Sequence, residues 1–249
     1  MASATGTRWQ ALDMNEPRSG NVRRLFPRRE RSSLDPFARL EELFMQPPAG
    51  LPPHEHRGFE AVTYVLEGSW RYTDALMSDL TASAGAVQRF TAGRGLLHGE
   101  LPGGEGQTRA LQLWVALRRT DKEIGPDVQQ VEAADVPARS EAGLTRRVVL
   151  GEDSPVQLRT AVRWLDLSVT DRRATRREIV PAGHQGLVYA LDGRLEIAGQ
   201  TLQPGEALVL SVQDREQPLE ITGDQGARCA LIHGRPHGEP IRAWGGMVD

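Results

Sequence analysis

Apolar and polar positions along this chain fall into short runs closed by glycine, a pattern of strands and turns. Residues 60–68, Glu60-Ala61-Val62-Thr63-Tyr64-Val65-Leu66-Glu67-Gly68, are rich in β-branched and aromatic side chains and stop at a glycine, which predicts a strand. Residues 70–73, 86–91 and 110–117 repeat the pattern. Residues 123–143 change character, because Gly125, Pro126, Pro137 and small polar side chains predict a linker. β patterning resumes in residues 145–150, 156–162 and 164–169. Short strands divided by glycine turns predict an all-β chain built as a sandwich or barrel. Upstream, residues 2–21 read as a polar segment, mobile at its start. Residues 34–44, with Phe37, Leu40, Leu43 and Phe44 apolar, read as a brief strand or one helical turn.

The strand pattern occurs twice. Tyr64-Val65-Leu66-Glu67-Gly68 is echoed by Tyr189-Ala190-Leu191-Asp192-Gly193, and Gly85-Ala86-Val87 more loosely by Gly205-Glu206-Ala207. Such a repeat predicts two versions of one β-lobe, with residues 1–137 as the first and 138–249 as the second.

Composition adds exclusions. The 249 residues are enough to bury a sizeable core. A formal net charge of -3 gives no bulk attraction to nucleic acid or to an anionic membrane, so direct nucleic-acid and membrane binding are not expected. Cys229 is the one cysteine, which rules out an intrachain disulfide and suits a reducing compartment. No apolar run approaches a membrane span, and residues 1–10 lack the apolar core of a signal peptide; a cytoplasmic protein is the expectation. Lys122 is the one lysine, and arginines cluster in residues 22–31. That cluster reads better as a solvated edge pairing with Glu30, Glu41 and Glu42 than as a nucleic-acid footprint.

The candidate chemistry lies in two segments, Pro52-Pro53-His54-Glu55-His56-Arg57-Gly58-Phe59-Glu60 and Gly95-Leu96-Leu97-His98-Gly99-Glu100. On a strand, residues i and i+2 share a face. His54 with His56, and His98 with Glu100, therefore form two donor pairs that meet if their strands face each other. Three imidazoles and a carboxylate suit one divalent ion, and iron, zinc, nickel, copper, manganese and cobalt are all chemically admissible. If the strand through His54 runs on regularly, Val62, Tyr64 and Leu66 share its metal-facing side, while Phe59 and Val65 face away. Glu60 also follows the paired histidines at a spacing that makes it a rival of Glu100 for the fourth position. Ten residues before Tyr189 stands Ile179 where His54 precedes Tyr64, and Pro181 and Gln185 replace His56 and Glu60. One metal site per chain follows. His184, His233 and His237 read as ordinary polar histidines.

These residues resemble the pirins, two-lobed members (bicupins) of the cupin superfamily. The likeness rests on residues 53–68 and 87–100, on Leu111-Gln112-Leu113-Trp114-Val115, and on weaker echoes at Asp35-Pro36-Phe37 and Gly238-Glu239-Pro240-Ile241. It implies two antiparallel β-barrel lobes packed face to face. It also implies a metal in the first lobe, usually iron (Fe2+), held by His54, His56, His98 and Glu100. Glu60 then orients a ligand or lines the pocket. Arg89 stands where the family commonly has an aromatic, and Ala86 where it has an aspartate. Arg89 is thus expected at the pocket entrance, narrowing it or attracting an anionic substrate.

Two functional classes follow from the resemblance. The first is an oxidoreductase, a metal-dependent quercetin 2,3-dioxygenase taking a small aromatic or flavonoid-like substrate and O2. In it Glu100, with Glu60 second, accepts the flavonol proton, and Leu96, Leu97, Phe90 and Trp114 line the pocket. The alternative is an iron-binding, redox-responsive regulator that binds a protein partner, a transcription factor or metabolic enzyme, without turnover.

Overall fold

A computed structural model describes residues 6–16, 20–172 and 174–249. Within it the chain divides into two compact units, neither continuous in sequence. One comprises residues 12–136, 155–160 and 237–249; the other comprises residues 6–11, 137–154 and 161–236. A single cut at residue 137 therefore leaves out an exchange of segments between the units. Both are almost wholly antiparallel β, and among the described residues the one helical element is the short 3-10 turn Arg119–Asp121.

The first unit has a seven-stranded sheet in the order Asp127–Val131, Val87–Thr91, Phe59–Glu67, Thr108–Ala116, Phe37–Met45, Gly20–Phe26, Leu12–Glu16. A four-stranded sheet runs Leu51–His56, Leu96–Pro102, Ser69–Asp74, Asp79–Ser83. The other unit repeats this plan. Its seven-stranded sheet is Gly6–Gln10, Glu206–Leu210, Gln185–Asp192, Arg228–Gly234, Val162–Val169, Leu144–Leu150, Ala138–Glu141, and its four-stranded sheet is Thr175–Val180, Gln217–Gly223, Leu195–Ile197, Gln200–Leu202. The internal echo in the sequence is thus an echo in topology.

Within the first unit the core lies between its two sheets. One cluster joins Phe59, Phe90 and Trp114 of the larger sheet to Tyr72 and Leu96 of the smaller; another joins Val22, Leu43 and Val65 to Trp70 and Ala82. The central strands are covered on both faces: Thr108–Ala116 is buried throughout, and Phe59–Glu67 everywhere except Glu67. Such strands read as nearly continuous apolar runs because neither face meets water.

Several sequence expectations are corrected here. Of the two readings of residues 34–44, strand or helical turn, the strand holds, as Phe37–Met45. The expected linker carries two edge strands, Asp127–Val131 and Ala138–Glu141. Residues 156–161 form no strand, although Val162 opens one. They pass beside the first unit, where Gln157 N–H donates to Gln129 Oε1 (3.0 Å) and Arg159 N–H to Glu60 Oε2 (2.8 Å). The described part of the expected polar segment contains the strands Gly6–Gln10 and Leu12–Glu16, while residues 2–5 and 17–19 lie outside the described residues.

Within the arginine cluster, Arg23 and Arg24 are held by ion pairs. Arg24 pairs with Glu41 and Glu16, and Arg23 with Asp13 and Glu42. Glu42 is fully buried and also accepts from Arg109 Nε at 2.7 Å. Breaking a buried pair on one side strands the other charge. Arg109→Ala is expected to cost about 3 kcal/mol, the low end of the range because Arg23 still faces Glu42, read as a lower urea midpoint at unchanged slope. A loss below ~1 kcal/mol, the level of an exposed pair, would show that Arg23 alone neutralises Glu42.

Candidate metal centre

Leu51–His56 is an edge strand paired with Leu96–Pro102, and the register sets His54 opposite His98 and His56 opposite Leu96. Pro52 and Pro53 cannot donate to a ladder, which confines them to such an edge. The pairing slips between His98 and Glu100, beside these prolines. The alternation along Leu51–His56 brings His54 and His56 to one side, and the ring centroids of His54 and His56 lie 4.5 and 4.8 Å from that of His98. Their ligand nitrogens all fall within 4.8 Å of one another, and among the described residues these three form the one such group of metal-type donors.

The hydrogen bonds show how the rings are held. His54 Nδ1 faces the Pro52 carbonyl at 2.8 Å and His56 Nδ1 the Gly246 carbonyl at 2.8 Å. A carbonyl only accepts, so each Nδ1 carries the proton and each Nε2 presents a lone pair. Those two Nε2 atoms stand 2.9 Å apart. Two lone pairs at that distance repel unless a cation lies beside both; ligands ~2.1 Å from a shared ion, at right angles, are roughly 3.0 Å apart. Both nitrogens of buried His98 lack a hydrogen-bond partner. Burial lowers the pKa of all three rings, to about 3 at His56 and about 2 at His98, so they are neutral and ready to ligate. The donor set fits a divalent metal ion.

Around the imidazoles the wall is aromatic. The His56 ring stacks on Phe90 (5.8 Å, 4°) and meets Trp114 at 4.8 Å and Phe59 at 5.0 Å. A cavity of about 420 Å³ opens beside His54, His56 and Glu100, lined also by Trp114, Arg39 and Met247. The Arg39 guanidinium lies 4.0 Å over the Trp114 ring and its Nη1 is 3.1 Å from Glu41.

Glu100 lines the cavity but lies outside the histidine group. Its Oε1 accepts from Gln112 Nε2 at 3.1 Å, and Trp114 Nε1 donates to Gln112 Oε1 at 3.0 Å, which fixes the amide's orientation. Burial pushes the Glu100 carboxyl up to about 8. Gln112 was not singled out as a site residue. The available signal was a polar amide within an otherwise apolar, doubly buried strand.

Glu60 is placed elsewhere. Phe59 and Ala61 belong to the cluster around the site, so Glu60 points to the opposite face of its sheet. There its carboxylate, raised in pKa by burial, accepts from Thr91 Oγ1 (2.9 Å) and Arg159 N–H (2.8 Å). The expected facing of residues 59–66 is therefore reversed: Phe59 and Val65 are in the inner clusters, and Val62 and Tyr64 alternate away from Ala61 and Thr63. The cause is a break at Gly58, φ 84°, where the chain leaves the smaller sheet for the larger. Leu66 lies at a register shift.

Arg89 alternates with Phe90 and so also points away from the imidazoles. Its Nη1 donates to Thr91 Oγ1 (3.1 Å) and pairs with Asp127 (2.7 Å). It neither narrows the cavity entrance nor faces a ligand there. Of the expected lining, Leu96 and Phe90 are in the core cluster and Trp114 reaches the cavity, but Leu97 is 44% exposed. In the second unit His184 and His233 face each other, Nδ1 to Nδ1, at 3.0 Å; in the first, His237 Nε2 lies 3.0 Å from Thr160 Oγ1. Ile179, in the strand that repeats Leu51–His56, is exposed.

Fold and site together define a two-unit β protein with, among the described residues, one three-histidine cluster that could hold a metal ion. The family model described as Pirin matches residues 21–115, and that described as Pirin C-terminal cupin domain matches residues 164–249. Pirin of Mus musculus is 35% identical over 245 residues, 95% of this chain and 84% of that protein. Pirin-like protein 2 of Arabidopsis thaliana is 36% identical over 238 residues, 91% and 74% of the two chains. A crystal structure of a quercetin 2,3-dioxygenase from Acinetobacter baumannii matches with a TM-score of 0.88 at 28% identity, covering 100% of this chain and 92% of that one. The chain belongs to the pirin family.

Elemental analysis of the purified protein is expected to find about one divalent ion per chain, and little in the double variant His54→Ala/His98→Ala, because one remaining imidazole holds metal weakly. Glu60→Gln should keep the wild-type content, and Glu100→Gln should lower it. Full retention by the double histidine variant would place the metal elsewhere.

Proposed function

We propose that this chain is a metal-dependent dioxygenase that opens the heterocyclic ring of a flavonol, quercetin or a close relative, with O2. We assign the metal to His54, His56, His98 and Glu100 in the first lobe, and read each unit as a cupin barrel. The observation that carries the reading is the trio of neutral imidazoles, His56 and His98 buried and His54 half-buried, whose free nitrogens converge beside a cavity of about 420 Å³. The likeness to a quercetin 2,3-dioxygenase supports the choice of substrate, and iron is the metal that the family resemblance implies.

A bound divalent ion supplies Lewis acidity, which lowers the pKa of a flavonol 3-hydroxyl and orders the reactants. The side chains supply the rest. Trp114 and Met247 give the cavity an apolar wall for a flat aromatic ring system. Arg39 stacks on Trp114 at the same wall, its charge paired with Glu41. Glu100 lines the cavity, and we assign it to take the 3-hydroxyl proton, since a bound cation would keep its buried carboxylate ionised. Gln112 keeps that carboxylate on the cavity side. Both atoms of O2 enter the depside product, and one ring carbon leaves as carbon monoxide.

The test is turnover. Metal-loaded protein is expected to bleach the long-wavelength absorbance of quercetin only when O2 is present, with carbon monoxide released in proportion and none from His98→Ala. Loaded protein that binds quercetin yet releases no more carbon monoxide than a metal-free control would sink the dioxygenase reading, leaving the regulatory one.

A further inference from the structure

We infer that the hairpin Ala243–Val248 positions the metal ligand His56, with Gly246 and Lys122 as its positioning residues; this rests on the metal reading above and extends it. The hairpin is formed by the strands Ala243–Trp244 and Met247–Val248, with Gly245 and Gly246 at its turn, φ 51° and 90°. It docks beside the chain that leaves His56, where Met247 forms a parallel bridge to Arg57 and Val248 N–H donates to the Arg57 carbonyl at 2.9 Å. The turn then lies on the ligand itself, since the Gly246 carbonyl accepts from His56 Nδ1 at 2.8 Å.

That contact requires glycine. A Cβ at Gly246 would stand 2.8 Å from both the Glu55 carbonyl oxygen and His56 Nδ1, and a φ of 90° is strained for any other residue. The approach is equally tight one residue after Arg57, where a Cβ at Gly58 would meet the Val248 carbonyl oxygen at 1.9 Å. Lys122 closes the joint. Its ammonium donates to the Gly58 carbonyl at 3.1 Å and to the Val248 carbonyl at 2.9 Å, bridging the ligand's own chain and the hairpin. It is the chain's one lysine.

The two edge-strand histidines are thus held differently. His54 is set by the carbonyl of Pro52, two residues away on its own strand, whereas His56 is set by a carbonyl 190 residues distant. A carbonyl on Nδ1 fixes the tautomer that leaves Nε2 free and raises that nitrogen's basicity. Gly245, Gly246 and Met247 also line the cavity, so the segment that orients the ligand is part of the substrate wall. The competing view is a plain cover: Val248 is buried in the core cluster, and the hairpin could serve the fold alone.

Full-length Gly246→Ala, Lys122→Met and Lys122→Arg separate the two, with Co2+ as the probe. Metal-free forms are compared by thermal unfolding, and Co2+ affinity by competition with a chelator. The visible d–d bands report the ligand geometry. Gly246→Ala is expected to lose about 10–100-fold in Co2+ affinity, the usual effect of disturbing an outer partner of a ligating histidine, and to shift the bands, while the strain at φ 90° also lowers the metal-free transition. Lys122→Met should lose less in the same direction, and Lys122→Arg, which still donates to two carbonyls, should recover most of it. Because Lys122→Met leaves the backbone untouched, it decides the matter if Gly246→Ala folds poorly. Wild-type affinity and bands in Lys122→Met, or in a well-folded Gly246→Ala, would overturn the inference and leave a cover. A wild-type protein that binds no Co2+ would overturn the metal reading itself.

Discussion

The site depends on an electrostatic conflict between lone pairs. His54 and His56 each commit a protonated nitrogen to a main-chain carbonyl, which leaves two unprotonated nitrogens 2.9 Å apart. Burial adds His98, with no partner for either of its nitrogens. Protonation would relieve the repulsion in water, but here desolvation opposes it and drives the ring pKa values down. The remaining remedy is a cation that accepts all three lone pairs, and that is the chemistry of a metal centre.

The two sheets of the first unit divide labour across the strand Phe59–Glu67. On its inner side the aromatic rings exclude water around the imidazoles, and Thr63 and Gln112 lead to Glu100. On its outer side Glu60, Thr91 and Arg89 form a separate buried polar chain that holds residues 155–160 against the unit. Two glutamates of similar burial thus serve different ends, one facing a cavity and the other tying down a crossing segment. Glu60 is satisfied where it is, which is why it is no rival for the metal.

Much of this was legible in the sequence, and the failures are informative. The i, i+2 spacing of His54 and His56 survives folding because a strand preserves it, and the repeat of Tyr64–Gly68 at Tyr189–Gly193 reports topology directly. Alternation counted through Arg57 and Gly58 gives the wrong facing for Phe59 and Val62, because the chain changes sheet there. Glycine at positive φ resets the phase of a strand, and spacing alone does not reveal it. Arg89 is expected at the pocket only from the family position it occupies; its neighbour Phe90 holds that face, and Arg89 points to Thr91 and Asp127. Gly246 could not have been read from spacing, since its contact is with a residue 190 positions away.

The exchange of segments between the units bears on how divisible this protein is. Severed after residue 137, the first half keeps its three histidines but loses Gly246 and the stretch that satisfies Glu60. The second half loses Gly6–Gln10, the strand that covers the buried row Glu206–Leu210, and gains a naked apolar edge of the kind that aggregates. The two units share a topology, yet neither is encoded by one continuous half of the chain. Recombination at its midpoint, in nature or in the laboratory, would yield two damaged pieces rather than two intact units.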